Sequence, residues 1–300
     1  MLIYQEIIYI KIKKKRFFKE NKILSILLLL LSFYLYNNYF ILVEPNPKVD
    51  KKSPTYINDL YASDERIYND YLDTTEKIIY KKLVSASKNH IPTIYFKSIT
   101  NKLDVEKIYS AILVDHPELL NFGSLSYKYS TAGDYEITIN SATPLRLLTT
   151  LNMSRIQRII QKIKEETKDL NDYGKIKYVY NWIGKKTKYD RTFTYMSKNQ
   201  SAYNVFINKN AVCAGFAKAS QIIFQNIGIE SYGVSGNTTG PHMWNIIKYK
   251  GKYYYFDSTV AASISDTSEH YYDGLKQTTM KEYKMSNPDW YPEIETTNME

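Results

Sequence analysis

The chain is 300 residues long, 44% hydrophobic and 24% charged, which is ordinary for a folded protein and enough to bury a sizeable core. Its net charge of +9 is concentrated at one end: Lys11, Lys13, Lys14, Lys15, Arg16, Lys19 and Lys22 stand against only Glu6 and Glu20 in residues 1–22, and the rest is close to balance. That distribution argues against nucleic acid as a partner, and a single cysteine excludes a disulfide framework.

Behind the basic segment runs ILSILLLLLSFYLYNNYFILV, residues 23–43, uncharged throughout and long enough to cross a hydrocarbon core as a helix. No pair of small residues between Asn37 and Pro47 resembles a signal-peptidase site, and the aromatics from Phe33 to Phe40 suit an interfacial belt. The expectation is a single-pass anchor in the cell membrane; the alternative, if the run is read only to Tyr36, is the apolar region of a cleaved signal peptide. The basic residues place the N-terminus in the cytoplasm and residues 44–300 outside. Residues 44–58, with three prolines and alternating charges, read as an extended linker.

Residues 59–148 read as a small α+β module. Ile67, Tyr71, Ile78, Ile79 and Leu83 are spaced for one helical face, and PTIYFK alternates as a strand. DVEKIYSAILVDHPELL reads as a helix ending at Pro117, and LSYKYS and DYEITIN flank Ala132-Gly133 as a hairpin. No chemistry is evident there, and His90 and His116 read as surface or capping residues.

Residues 149–300 open with two amphipathic helices, about 153–168 and 174–186, which turn Ile156, Ile159, Ile160, Ile163, Ile176, Val179, Tyr180 and Ile183 inward. The single cysteine, Cys213, begins NAVCAGFAKASQIIFQNIG. Phe216, Ala219, Ile223 and Ile227 recur at helical steps and Gly228 supplies a stop, so the thiol sits at a helix N-terminus, where unpaired N–H groups favour the thiolate. The small neighbours Ala214 and Gly215 are expected to let a substrate backbone approach. Farther on, HMWNIIKYKGKYYYFD is a hairpin turning at Lys250-Gly251. Pairing Tyr249 with Lys252 sets His242 and Asp257 on one face, a diagonal step apart and within side-chain reach. A slip of one residue would part them. A cysteine thiolate, an imidazole and an orienting carboxylate are the parts of a nucleophilic acyl-transfer site.

These residues also carry a family resemblance. The order Cys213, His242, Asp257, the VCAGFAKA helix start, the GIESYGVSG strand, the HMWNIIKYKGKYYYFD hairpin and the upstream YNWIGKKTKYD helix resemble the transglutaminase-like superfamily over about residues 150–275. The DHPEL segment is similar to what precedes such domains in bacterial surface proteins. The resemblance implies an α+β, papain-like core preceded by the transmembrane helix and the small module. It implies Cys213 as nucleophile, His242 as general base and acid, and Asp257 as orienting group. Trp244 and Asn245 match the positions after the family's histidine, as substrate or oxyanion candidates. The oxyanion needs the Cys213 N–H and a side-chain donor, for which Tyr203 and Gln200 stand upstream and Tyr203 fits the resemblance better. Val260 departs from the aromatic expected after Asp257-Ser258-Thr259. The implied activity is cell-surface action on amide bonds of proteins or peptides, including cell-wall peptides, through a thioester. The alternatives are a papain-like peptidase or deamidase, or a surface-binding module without turnover. No cofactor or metal is implied, since no acidic cluster suited to calcium occurs.

Overall fold

The computed structural model describes residues 60–97, 99, 102–141, 146–192, 199–263 and 273–299. The basic segment 1–22, the expected span 23–43 and the linker 44–58 lie outside them. Among the described residues no helix is long and apolar enough to cross a membrane. The described residues fall within one compact α+β unit.

The first part holds α1 (Arg66–Tyr71), α2 (Thr74–Lys88), β1 (Thr93–Phe96), α3 (Val105–Asp115), β2 (Phe122–Tyr129) and β3 (Tyr135–Ser141). The single apolar face expected from Ile67 to Leu83 belongs to two helices. Asp73 accepts from Glu76 N–H at 2.8 Å while the Glu76 carboxylate accepts from Asp73 N–H at 2.9 Å, a capping box that starts α2 afresh. The strands form an antiparallel sheet in the order β1-β3-β2. The DHPEL segment is structural: Asp115 accepts from the N–H groups of Ile67 and Tyr68 and from the Tyr80 hydroxyl. His116 caps α3 through its N–H to Ile112 O, but it is buried and paired with Glu118 at 2.7 Å rather than exposed.

Next come α4 (Arg146–Thr167), α5 (Asp172–Lys186) and a two-stranded parallel ladder of β4 (Lys188–Tyr189) with β5 (Asn210–Ala211). A π-helical turn, Asn204–Asn208, precedes β5. The central element is α6 (Cys213–Asn226), followed by β6 (Ser231–Asn237), β7 (Pro241–Tyr249), β8 (Lys252–Phe256), the short α7 (Ser258–Ser263) and β9 (Lys284–Met285). The second sheet runs β8-β7-β6-β9.

Two cores meet on α6. Phe216, Ala219, Ile222, Ile223 and Phe224 pack with Ile156, Ile160, Ile176, Val179 and Ile183 from α4 and α5. Ala214 and Ala217, with Met243 and Trp290, join the core built by α1 to α3 and the first sheet. Burying a Phe or Ile side chain contributes about 1.5–3 kcal/mol, whereas a helix cap contributes about 1 kcal/mol. Packing, not capping, therefore decides where α6 starts, since Val212 at its N-cap position makes no side-chain cap. The opposite face of the second sheet carries Val234, Trp244 and Ile246 under Tyr255, Tyr283 and Tyr291.

Candidate active site

Cys213 is the first residue of α6, half-buried, with Val212 before it in extended conformation. Its N–H lies ahead of the helical ladder, so the positive end of the helix is presented at the thiol. Gly215 is required here for a reason other than substrate access. A Cβ at that position would lie 2.9 Å from Ser201 O and 3.0 Å from Asn199 O and Ala211 Cβ. With Ala214 buried in the second core, the small residues after Cys213 make room for the protein's own chain, which corrects the expectation that they admit a substrate.

The β7–β8 hairpin turns through Lys250 (φ 48°) and Gly251 (φ 78°), both left-handed as a two-residue hairpin turn requires. Tyr249 pairs with Lys252 and Asn245 with Phe256, the register read from the sequence. His242 Nε2 lies 2.8 Å from Asp257 Oδ2. Cys213 is the other charged partner of the ring, and the Met243 backbone N–H also acts on the thiol.

Asp257 is nearly fully buried and its carboxylate is saturated. Besides His242, Oδ1 accepts from Thr259 N–H at 2.9 Å and Thr259 Oγ1 at 2.6 Å, and Oδ2 accepts from the Tyr283 hydroxyl at 2.7 Å. Its own N–H donates to Gly274 O at 2.9 Å. The His242 ring stacks on Trp244, centroids 6.0 Å apart, and meets the Tyr283 ring edge-on at 5.8 Å.

The charges reinforce one another. Burial alone would raise the Cys213 thiol, but the hydrogen bond and positive charge of His242, with the Met243 N–H, hold it below its ordinary value. Burial alone would lower His242, yet its hydrogen bonds to Asp257 and Cys213 and their negative charges push it up to about 10. Burial would raise Asp257, and His242, Thr259 and Tyr283 together keep it below the usual carboxylate range. These shifts all favour the charged forms of the thiol, the imidazole and the buried carboxylate.

The other candidates fall elsewhere. Trp244 and Asn245 are 1% and 0% exposed, so neither offers surface to a substrate. Trp244 backs the imidazole, and Asn245 Nδ2 donates to Ala217 O at 3.0 Å, fastening β7 to α6. Tyr203 is a core residue whose hydroxyl accepts from Asn152 Nδ2 at 3.1 Å. Gln200 Oε1 faces the Tyr109 hydroxyl at 3.5 Å. Val260 lies partly buried on α7, beside Ala261, which fills the space at Gly184. Three contributors were not foreseen: Thr259, whose D-x-T spacing is a capping signal, Tyr283, and Tyr189, whose hydroxyl reaches Cys213. Among the described residues no group of three or more His, Cys, Asp or Glu could hold a metal ion.

Residues 158–258 match the model of the transglutaminase-like superfamily. No curated protein sequence matches the chain. Among solved structures, that of a TGase aligns at 17% identity over 59% of this chain and 52% of its own, with a TM-score of 0.34. The periplasmic domain of TgpA from Pseudomonas aeruginosa bound to ethylmercury aligns at 11% identity over 43% of this chain and 56% of its own, with a TM-score of 0.29. The matched part of this chain thus spans about half the length of either structure. The part of the chain similar to the transglutaminase-like superfamily is residues 158–258, which include Cys213 and His242 and reach past Asp257.

Proposed function

We propose that the chain is a membrane-anchored, cell-surface cysteine enzyme acting on amide bonds of proteins or peptides through Cys213, His242 and Asp257. The observation that carries this reading is one imidazole that meets the buried Asp257 carboxylate at 2.8 Å and has Cys213 as its other partner. A core without turnover has no use for a thiol held as thiolate beside an imidazolium.

In the proposed reaction the Cys213 sulfur forms a bond to the amide carbon, and the carbonyl π pair moves onto oxygen. The oxyanion collapses, the C–N bond breaks, and the His242 proton goes to the departing amine, leaving a thioester on Cys213. Neutral His242 then takes a proton from water or from an incoming amine, which attacks the thioester and returns the thiolate. Asp257 holds the ring in the tautomer and orientation both steps need. Water as acceptor gives hydrolysis, and an amine gives a crosslink.

The test is trapping of the acyl-enzyme. Full-length chain in detergent is offered glutamine-containing peptides, and the intact mass is read with and without hydroxylamine, which cleaves thioesters. A hydroxylamine-labile adduct on wild type, absent from Cys213→Ala, is the expected result. No adduct with any peptide, together with an ordinary thiol alkylation midpoint, would remove the enzyme reading.

Anchoring through residues 23–43 belongs to the same proposal, supported by the length of the uncharged run and the basic cluster before it. Protease added to intact cells should remove the body and leave a short protected N-terminal piece. A mature form beginning near residue 44 in the medium would overturn the anchor.

A further inference from the structure

The thioester chemistry needs two hydrogen-bond donors at the carbonyl oxygen, and the Cys213 backbone N–H is one. The other has to reach the same point from a side chain. Tyr203, the upstream tyrosine favoured by resemblance, turns its hydroxyl to Asn152 within the core. A different tyrosine lies on the first turn of α6.

Tyr189 is the second residue of β4, paired in parallel with Ala211, two residues before Cys213. Asp190 N–H donates to Ala211 O at 2.9 Å, so the backbone on either side of Tyr189 is tied to the strand that leads into the cysteine. The Asp190 carboxylate accepts from Thr192 N–H at 3.0 Å, Thr192 Oγ1 at 2.7 Å and Asn199 Nδ2, and Asn199 O accepts from Val212 N–H at 3.0 Å. The Tyr189 ring stacks on Phe216, one turn into α6, with centroids 6.0 Å apart and planes at 27°. Held from both sides, its hydroxyl is directed to the start of α6, where the Cys213 side chain and backbone N–H both act on it. It therefore lies beside the point that a carbonyl oxygen must reach when the sulfur attacks the carbon next to it.

We infer that Tyr189 is the side-chain donor of the oxyanion hole, an inference that rests on the acyl-transfer reading of Cys213. A carbonyl oxygen arriving at the Cys213 N–H meets the Tyr189 hydroxyl beside it, which turns its proton toward the same oxygen. As the S–C bond forms and the π pair moves onto oxygen, both donors converge on the developing charge. When the oxyanion collapses and expels the leaving group, the hydroxyl turns back. Burial, followed by the neighbouring Cys213 charge, pushes the phenol up to about 12, so it keeps its proton throughout the working range.

Two reactions of the same sulfur separate this role from a merely structural one. Acylation by p-nitrophenyl acetate passes through an oxyanion, and alkylation by iodoacetamide displaces iodide at a saturated carbon and passes through none. Tyr189→Phe keeps the ring that stacks on Phe216 and removes only the hydroxyl. In full-length chain held in detergent, Tyr189→Phe should slow the p-nitrophenolate burst by roughly 10²-fold. Iodoacetamide alkylation should stay within about twofold of wild type, and Tyr203→Phe should change neither reaction. An unchanged burst in Tyr189→Phe, or an equal loss in both reactions, would overturn the inference while leaving the Cys213 reading intact. A wild-type chain that alkylates but gives no burst would overturn both together.

Discussion

The Tyr283 hydroxyl donates to Asp257 Oδ2 at 2.7 Å, the same oxygen that His242 Nε2 meets at 2.8 Å. One carboxylate oxygen thus serves two donors, and Tyr283 sets how strongly the other can pull. The tyrosine ring is locked by Trp244, edge-on at 5.0 Å, and by Tyr255, stacked at 5.9 Å. Tyr283→Phe should therefore fold, because those ring contacts survive. The unshared oxygen then attracts the imidazolium more strongly, so the basic limb of turnover should move above about 10. The loss of one fixed donor should lower kcat by roughly tenfold with KM little changed, an effect of about 1.4 kcal/mol. A pH profile of kcat for both chains checks the direction, and a basic limb that falls would show that Tyr283 does not act through Asp257.

Cys213 below its ordinary value and His242 at about 10 define a window rather than a point. Alkylation of Cys213 should rise at lower pH than that of an ordinary thiol. Amide turnover should fall near pH 10, where the imidazolium that protonates the leaving amine is lost. The two groups titrate as a pair, so both limbs belong to the pair. His242→Ala removes the hydrogen bond and the charge while leaving the thiol in place. Its alkylation midpoint should return to about 8.5 or above, since burial then acts unopposed. Identical profiles for the two chains would show that Cys213 is not activated.

How much of this site could be read from the sequence follows from how local each signal is. The helix start at Cys213 and the hairpin register rest on runs of consecutive residues, and Lys250-Gly251 leaves little choice of turn. Those patterns determine which face His242 and Asp257 share. Tyr283 lies 26 residues beyond Asp257 and enters only through the packing of the C-terminal segment on Trp244, which no periodicity reports. Tyr189 is placed by a parallel ladder of two residues, too short for alternation to show. The break between α1 and α2 was readable, because Asp73 and Glu76 are spaced as a capping box, but the apolar face running past it masked the signal.

Gly215 offers a test of how tightly the nucleophile is held. A methyl group there meets backbone oxygens of Ser201 and Asn199 at 2.9 and 3.0 Å, and neither is the end of a flexible side chain. Since Asn199 O also accepts from Val212 N–H, any relief moves the residue before Cys213. Gly215→Ala should cost about 1–3 kcal/mol of stability and slow Cys213 alkylation several-fold at neutral pH. Urea unfolding and alkylation rates measured on one preparation check both, and an unchanged rate would mean that the loop yields without disturbing the thiol.

The last prediction concerns Lys218, on α6 yet 1% exposed, with Nζ 3.4 Å from Phe122 O. Burial lowers it to about 7, against a small opposing pull from Glu118. Unfolded, a lysine holds its proton up to about 10.4. Between pH 7 and 10.4 the unfolded chain therefore binds the extra proton, and stability contributed at this position rises with pH and is lost as pH falls toward 7. Three pH units correspond to about 4 kcal/mol as an upper bound, so this lysine is a liability near neutrality. Lys218→Met keeps the length and unbranched shape of the side chain and removes the charge. Glu118, the carboxylate whose charge acts on Lys218, keeps its 2.7 Å bond to His116. The substitution should raise stability by about 2–4 kcal/mol at pH 7 and flatten its rise between pH 7 and 10. Urea unfolding of the full chain in detergent, followed by the fluorescence of the buried Trp244 and Trp290, reads both quantities. If Lys218→Met is less stable than wild type at pH 7 with the same pH slope, the amine contributes packing or hydrogen bonding that outweighs its desolvation.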